Sequence, residues 1–228
     1  MSSPQEPGPI NPLPPVVVAL FLVIVGIEAA FWLGSKGMVG GPEAVGWRLG
    51  AIQKYAFSTD IFQWMLTNNR WPTEHLWRFV TYLFIHGNFT HTLFGAVLLL
   101  AMGKMVGEVF SQAATLVVFI LSGGVGALGY ALITGASMPL IGSYPGVYGL
   151  IGAFTFLMWV RLGVIGAPQA RAFTLIGMLV AIQLVFGLLF GGTPSWVADV
   201  CGFIAGFLLS FLLVPGGWRR IRELIRHD

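Results

Sequence analysis

Six polar side chains stand out in an otherwise apolar chain: Glu28, His86, His91, Ser143, Tyr144 and Asp199. Their types allow acid–base or nucleophilic chemistry. A serine hydroxyl attacks well only when a neighbouring base takes its proton, and histidine, which titrates near neutrality, is the usual base. His86 and His91 lie five residues apart, close to but not on one helical face. A metal pair on a helix wants a spacing of three or four, and neither a cysteine nor a second acid completes such a site, so neither a metal nor a cofactor is expected. Asp199 reads either as a functional acid or as one that compensates a helix dipole at its N-terminus. Glu28 reads as a structural hydrogen-bond partner before it reads as a proton relay. The single cysteine, Cys201, sits in an apolar run and reads as a small packing residue.

The elements that must position these groups are membrane spans. Only 9% of the 228 residues are charged and 56% are hydrophobic, against about 25% charged in a soluble domain. A soluble core cannot hide that much apolar surface, so the lipid bilayer is the expected solvent. Apolar runs long enough to cross it are expected at Pro15 to Gly34, His86 to Val106, Ala113 to Thr134, Gly146 to Val160, Ala172 to Phe190 and Trp196 to Val214. The fourth is short and should extend at its ends. Between the first two spans, Ser35 to Ile85 is too polar to cross and carries Trp47, Trp64, Trp71 and Trp77. It reads as a structured outer loop with interfacial amphipathic helices.

The fold class is therefore an all-α, polytopic six-helix bundle. Its expected divisions are a Pro-rich extension over residues 1–14, a membrane domain over 15–214 and a basic tail over 215–228. The extension lacks the positive start and cleavage site of a signal peptide. Lys104, Arg161 and Arg171, with Arg219, Arg220, Arg222 and Arg226 of the tail, favour cytoplasmic N- and C-termini. The tail cluster suits a membrane surface rather than nucleic acid. With this topology the second, fourth and sixth spans begin in one leaflet. His86 and His91, Ser143 and Tyr144, and Asp199 then share the outer end of the bundle. Asp199 should lie roughly 8 Å below the start of its helix at 1.5 Å per residue. An ionisable group at that depth should face the bundle or a water-filled cavity.

Three motifs then carry a family resemblance. Trp77-Arg78-Phe-Val-Thr-Tyr-Leu-Phe-Ile-His86-Gly-Asn-Phe-Thr-His91 resembles the Trp-Arg loop and the His-bearing second span of rhomboid intramembrane serine proteases. Gly142-Ser-Tyr-Pro-Gly-Val-Tyr148-Gly149-Leu-Ile-Gly152 resembles their Gly-x-Ser-Gly stretch and the helix after it. Val197-Ala-Asp199-Val-Cys-Gly202-Phe-Ile-Ala-Gly206 resembles their sixth span. The likeness runs from about Pro15 to Val214. It implies a bundle that admits a client transmembrane helix from the side and cleaves it with a serine on the fourth span and a histidine on the sixth. A His and an Asn on the second span hold the oxyanion.

This sequence departs from that pattern where the chemistry lies. Alignment on the shared glycines puts Tyr144 at the nucleophile position, Asp199 at the base position and Gly95 at the oxyanion Asn, leaving His91 in place. A phenol has a reference pKa of about 10 and a carboxylate one of about 3.9, so neither replaces its counterpart. Tyr144 is expected to plug the cavity or to hydrogen-bond Asp199. Ser143 is the remaining nucleophile candidate, one residue away, and is expected to lack a histidine. The resemblance implies a rhomboid-like pseudoprotease of a bacterial inner membrane that binds single-span membrane proteins. The alternatives are an active endopeptidase using Ser143 and, more weakly, a small-solute or proton transporter using Glu28, Asp199, His86 and His91.

Overall fold

The computed structural model describes residues 12–190 and 192–216. The basic tail and most of the Pro-rich extension lie outside the described residues. Among the described residues, six helices are long and apolar enough to cross a membrane. They are α1 (Pro15–Ser35), α6 (Phe89–Gly107), α7 (Gln112–Thr134), α8 (Tyr144–Val164), α9 (Thr174–Phe190) and α10 (Trp196–Leu213). Between α1 and α6 lie four shorter helices: α2 (Trp47–Tyr55), α3 (Thr59–Asn68), α4 (Thr73–Leu76) and α5 (Arg78–Thr81). Single 3-10 turns cover Pro42–Gly46, Tyr82–Phe84 and Gln169–Phe173. The chain is thus an integral, multi-pass α-helical membrane protein. The expected outer loop is a folded unit rather than a linker.

Helices α7, α8 and α10 form the tight centre, because glycines let their backbones meet. Gly202 lies against the Pro145 carbonyl and Gly206 against the Gly149 carbonyl, so α10 packs directly on α8. Gly149 in turn faces Ser122 of α7. By contrast, the outward side chains of α9, among them Ile182, Val185 and Leu188, are exposed, as suits a helix covered by lipid.

The loop is bolted to this centre by polar contacts that share one end of the bundle. The Arg78 guanidinium donates to the carbonyls of Ala56 (2.8 Å) and Gln53 (3.0 Å). Phe57 and Leu140 exchange two backbone hydrogen bonds in an isolated bridge. The buried Tyr82 hydroxyl donates to the Gly123 carbonyl on α7 at 2.8 Å. The Tyr82 carbonyl accepts from the Gly142 N–H at 3.0 Å. The loop therefore fixes the turn that leads into α8.

One helix start and one depth differ from the sequence expectation, while the fourth span extends at its ends as expected. Helix α6 begins at Phe89, not His86, because the Asn88 side chain accepts from the His91 N–H (2.9 Å) and caps the helix. An N-cap residue is extended rather than helical, so His86 belongs to the connection before the span. Helix α8 is longer than Gly146 to Val160 and begins at Tyr144. Helix α10 begins at Trp196, as expected, and this start puts Asp199 in its first turn, about 4.5 Å along the axis at 1.5 Å per residue rather than 8 Å.

Candidate functional site

The start of α8 is set by Gly142, whose φ of +106° is strained for any residue with a side chain. A Cβ there would also meet the His91 ring at 2.8 Å. This turn delivers Ser143 and Tyr144 to the same helix end, about 100° apart around its axis. Ser143 faces inward and is fully buried. Its hydroxyl lies 3.1 Å from His86 Nε2, and its backbone N–H donates to the same nitrogen at 3.2 Å. An Nε2 that accepts leaves the ring proton on Nδ1, where His86 meets the Phe84 backbone. Burial pushes the His86 pKa down to about 4, so the imidazole is neutral at physiological pH. Ser143 does have a histidine after all. The expectation failed because His86, released from the helix, turns its ring into the bundle.

Tyr144 lines a cavity of about 440 Å³ together with His91, Gln183, Ser195 and Asp199. Its ring stacks on His91, with centroids 5.1 Å apart and planes 18° from parallel. Its hydroxyl points to the His91 carbonyl at 3.5 Å. Asp199 lines the same cavity but is only 5% exposed, and its Oδ2 accepts from Gln183 Nε2 of α9 at 2.8 Å. Tyr144 and Asp199 thus share a cavity without a hydrogen bond between them among the described residues. Gln183 was missed in the sequence. The signal was a lone amide in the apolar run Thr174–Phe190.

Gly95 explains how this arrangement fits. A Cβ at this position would sit 2.7 Å from Ser143 Oγ and 3.2 Å from His86 Nε2. A side chain there and the buried Ser143–His86 pair exclude one another. The His91 Nδ1 accepts from the Gly87 N–H at 3.3 Å, leaving Nε2 as the ring's remaining donor.

Glu28 lies apart from this cavity and is a structural group. Its carboxylate takes both Arg48 Nη atoms (2.9 and 2.7 Å) and the Thr92 hydroxyl (2.9 Å). Arg48 also donates to the His86 carbonyl at 2.7 Å. Trp77, the partner of Arg78 in the loop motif, is 61% exposed and suits an interfacial anchor.

The order of motifs on these helices is that of a known family, and residues 73–216 match the Rhomboid domain family model. The chain belongs to the rhomboid family. It is 26% identical over 156 residues to "Putative rhomboid protease YdcA" of Bacillus subtilis (strain 168), covering 68% of this chain and 73% of that protein. It is 27% identical over 138 residues to "RHOMBOID-like protein 4" of Arabidopsis thaliana, covering 60% of this chain and 34% of that one. "Rhomboid-like protease 3" of Toxoplasma gondii is 28% identical over 140 residues, covering 59% of this chain and 50% of its own length. The rhomboid match begins within the loop, so α1, α2 and α3 lie before it.

Proposed function

We propose that this rhomboid-family protein does not cleave peptide bonds but binds transmembrane-helix clients, with its former active site occupied by Tyr144. The observation that carries this reading is the partnering of Tyr144 and Asp199. The phenol is stacked on His91 and bonded to a backbone carbonyl, and the carboxylate is bonded to an amide. Neither contact activates a nucleophile, since activation needs a base on the attacking oxygen. The glycine-packed centre and the side approach past α9 are what a client helix would use. In this reading the membrane domain spans 15–214, the termini are cytoplasmic and the membrane is a bacterial inner membrane.

A second reading rests on His86 and Ser143, whose 3.1 Å approach is the geometry of a nucleophile and its base. The chain would then be an intramembrane serine endopeptidase; two of its relatives carry the word protease in their names. Burial argues against it. Ser143 has no exposed surface, and a base with a pKa near 4 has little drive to take a hydroxyl proton at neutral pH.

One experiment separates the two. Purified wild-type protein is treated with a fluorophosphonate serine probe, and single-span proteins co-purifying from native membranes are quantified. The binding reading expects no labelling and client enrichment above background. Stoichiometric labelling that disappears in Ser143→Ala establishes the endopeptidase instead, and absence of any enriched membrane protein removes the binding reading.

A further inference from the structure

Two cavities on the flank of the loop adjoin one another. The first is a groove of about 630 Å³ along α1, closed by α2 and by Leu116 of α7. All of its lining side chains except Tyr55 and Thr81 are apolar. It runs from Val16 to Phe31, about 22 Å at 1.5 Å per residue. That exceeds the roughly 15 Å of one leaflet's hydrocarbon. The second is a polar cavity of about 460 Å³ that holds Lys54, His75 and Arg78. Tyr55 and Thr81 line both, and the Thr81 hydroxyl donates to the Tyr55 carbonyl at 2.8 Å.

The polar cavity contains unpaired polar atoms. The Arg78 guanidinium spends its two Nη atoms on Ala56 and Gln53, while its Nε is buried without a partner among the described residues. His75 Nδ1 is likewise buried and unpartnered. The unpaired Nε leaves the Arg78 charge only partly met by its two carbonyl partners. The Lys54 ammonium lies over the Tyr55 ring at 5.2 Å. Glu74 also lines this cavity, but its side chain is 78% exposed, so its charge is largely met by solvent.

From this adjacency we infer that the loop flank binds one anionic phospholipid, with the phosphate at Lys54, His75 and Arg78 and an acyl chain in the groove along α1. The phosphate charge suits the two cations that line the cavity, Lys54 and Arg78. The groove is too small to enclose a helix. A 22 Å helix about 10 Å across occupies well over roughly 1,500 Å³. An extended hydrocarbon chain is slimmer. The loop's exposed Trp64, Trp71 and Trp77 set this cavity at headgroup level, where indole rings reside. The site is independent of whether the protein cleaves or only binds.

The test is native mass spectrometry of the full chain in detergent, titrated with phosphatidylglycerol or with phosphatidylcholine of the same acyl chains. Phosphatidylglycerol should be retained in preference by wild-type protein. Lys54→Gln should weaken its retention about fivefold, as expected for one basic group at an anionic lipid surface. His75→Phe keeps a ring for Trp64 to pack on and should also weaken it. Ala51→Trp, which fills the groove, should remove the preference without touching the cations. Glycerol phosphate should not displace the lipid, because it has no chain for the groove. Equal retention of the two lipids by wild-type protein overturns the inference and needs no variant. Retention unchanged in the variants, or displacement by glycerol phosphate, overturns it as well.

Discussion

His86 carries the sharpest consequence at the level of single residues. Burial lowers its pKa to about 4 from the ordinary value of 6.5, whereas the unfolded chain titrates near that ordinary value. Above pH 6.5 both states hold a neutral ring and the group adds no pH dependence. Between 6.5 and 4 the unfolded state binds the proton that the folded state refuses, so stability falls as pH falls. The loss should approach about 2–3 kcal/mol by pH 4. Melting temperatures in detergent between pH 7 and 4.5 will read it. His86→Gln should be less stable at pH 7, because Ser143 loses its acceptor, yet show a flatter acid limb. A limb of unchanged steepness in that variant assigns the effect to another group. The identity of the polar residues was legible in the sequence, but their pairing was not. Nothing in the spacing of 86 and 143 reveals a contact between a connection and the start of a helix two spans later. Placing His86 on the second span concealed it further. Asn88, three residues before His91, was the readable sign that the helix starts later.

At the scale of helices, the glycine seam between α8 and α10 decides how the bundle closes. Gly206 faces the Gly149 carbonyl, a backbone atom with no rotamer to yield. Gly206→Ala should therefore cost at least about 3 kcal/mol, the upper range for an overpacked core, whereas Gly124→Ala on α7 should cost nothing. A Cβ at Gly124 meets open space, and alanine is the better helix former by about 1 kcal/mol. Thermal unfolding of the two variants side by side checks the contrast, and equal losses would mean the seam is not where the helices touch. The Gly202-x-x-x-Gly206 pattern exposed this seam from sequence because close helix approach demands small residues at that spacing. Span number was equally legible, since bilayer thickness dictates length. Helix ends were less so, because a turn such as that at Gly142, packed against the His91 ring, depends on tertiary partners. Gln183 escaped because a single amide in a lipid-facing run acquires meaning only through Asp199, sixteen residues away.

For the whole molecule, the Glu28–Arg48 pair links α1 to the loop, to α6 and to the chemistry-bearing end. Arg48 holds Glu28 and the His86 carbonyl together, and its guanidinium also lies 5.1 Å from the Phe31 ring centroid. The Glu28 side chain is 6% exposed and that of Arg48 is 26%, so little water is available to replace a lost partner. Removing one member strands the other in a poorly solvated setting, at a cost of about 3–5 kcal/mol. Glu28→Met alone should fall in that range. Glu28→Met combined with Arg48→Met should recover much of the loss, because an apolar pair carries no stranded charge. A double variant no more stable than the worse single one would show that Arg48 acts mainly through the His86 carbonyl. That outcome is also informative about position. It would place the main contribution of Arg48 at the connection before α6 rather than at α1. Recovery in the double variant instead means that α1, α2 and α6 pack correctly around any neutral filling. The ion pair would then select their register rather than supply the energy that holds them.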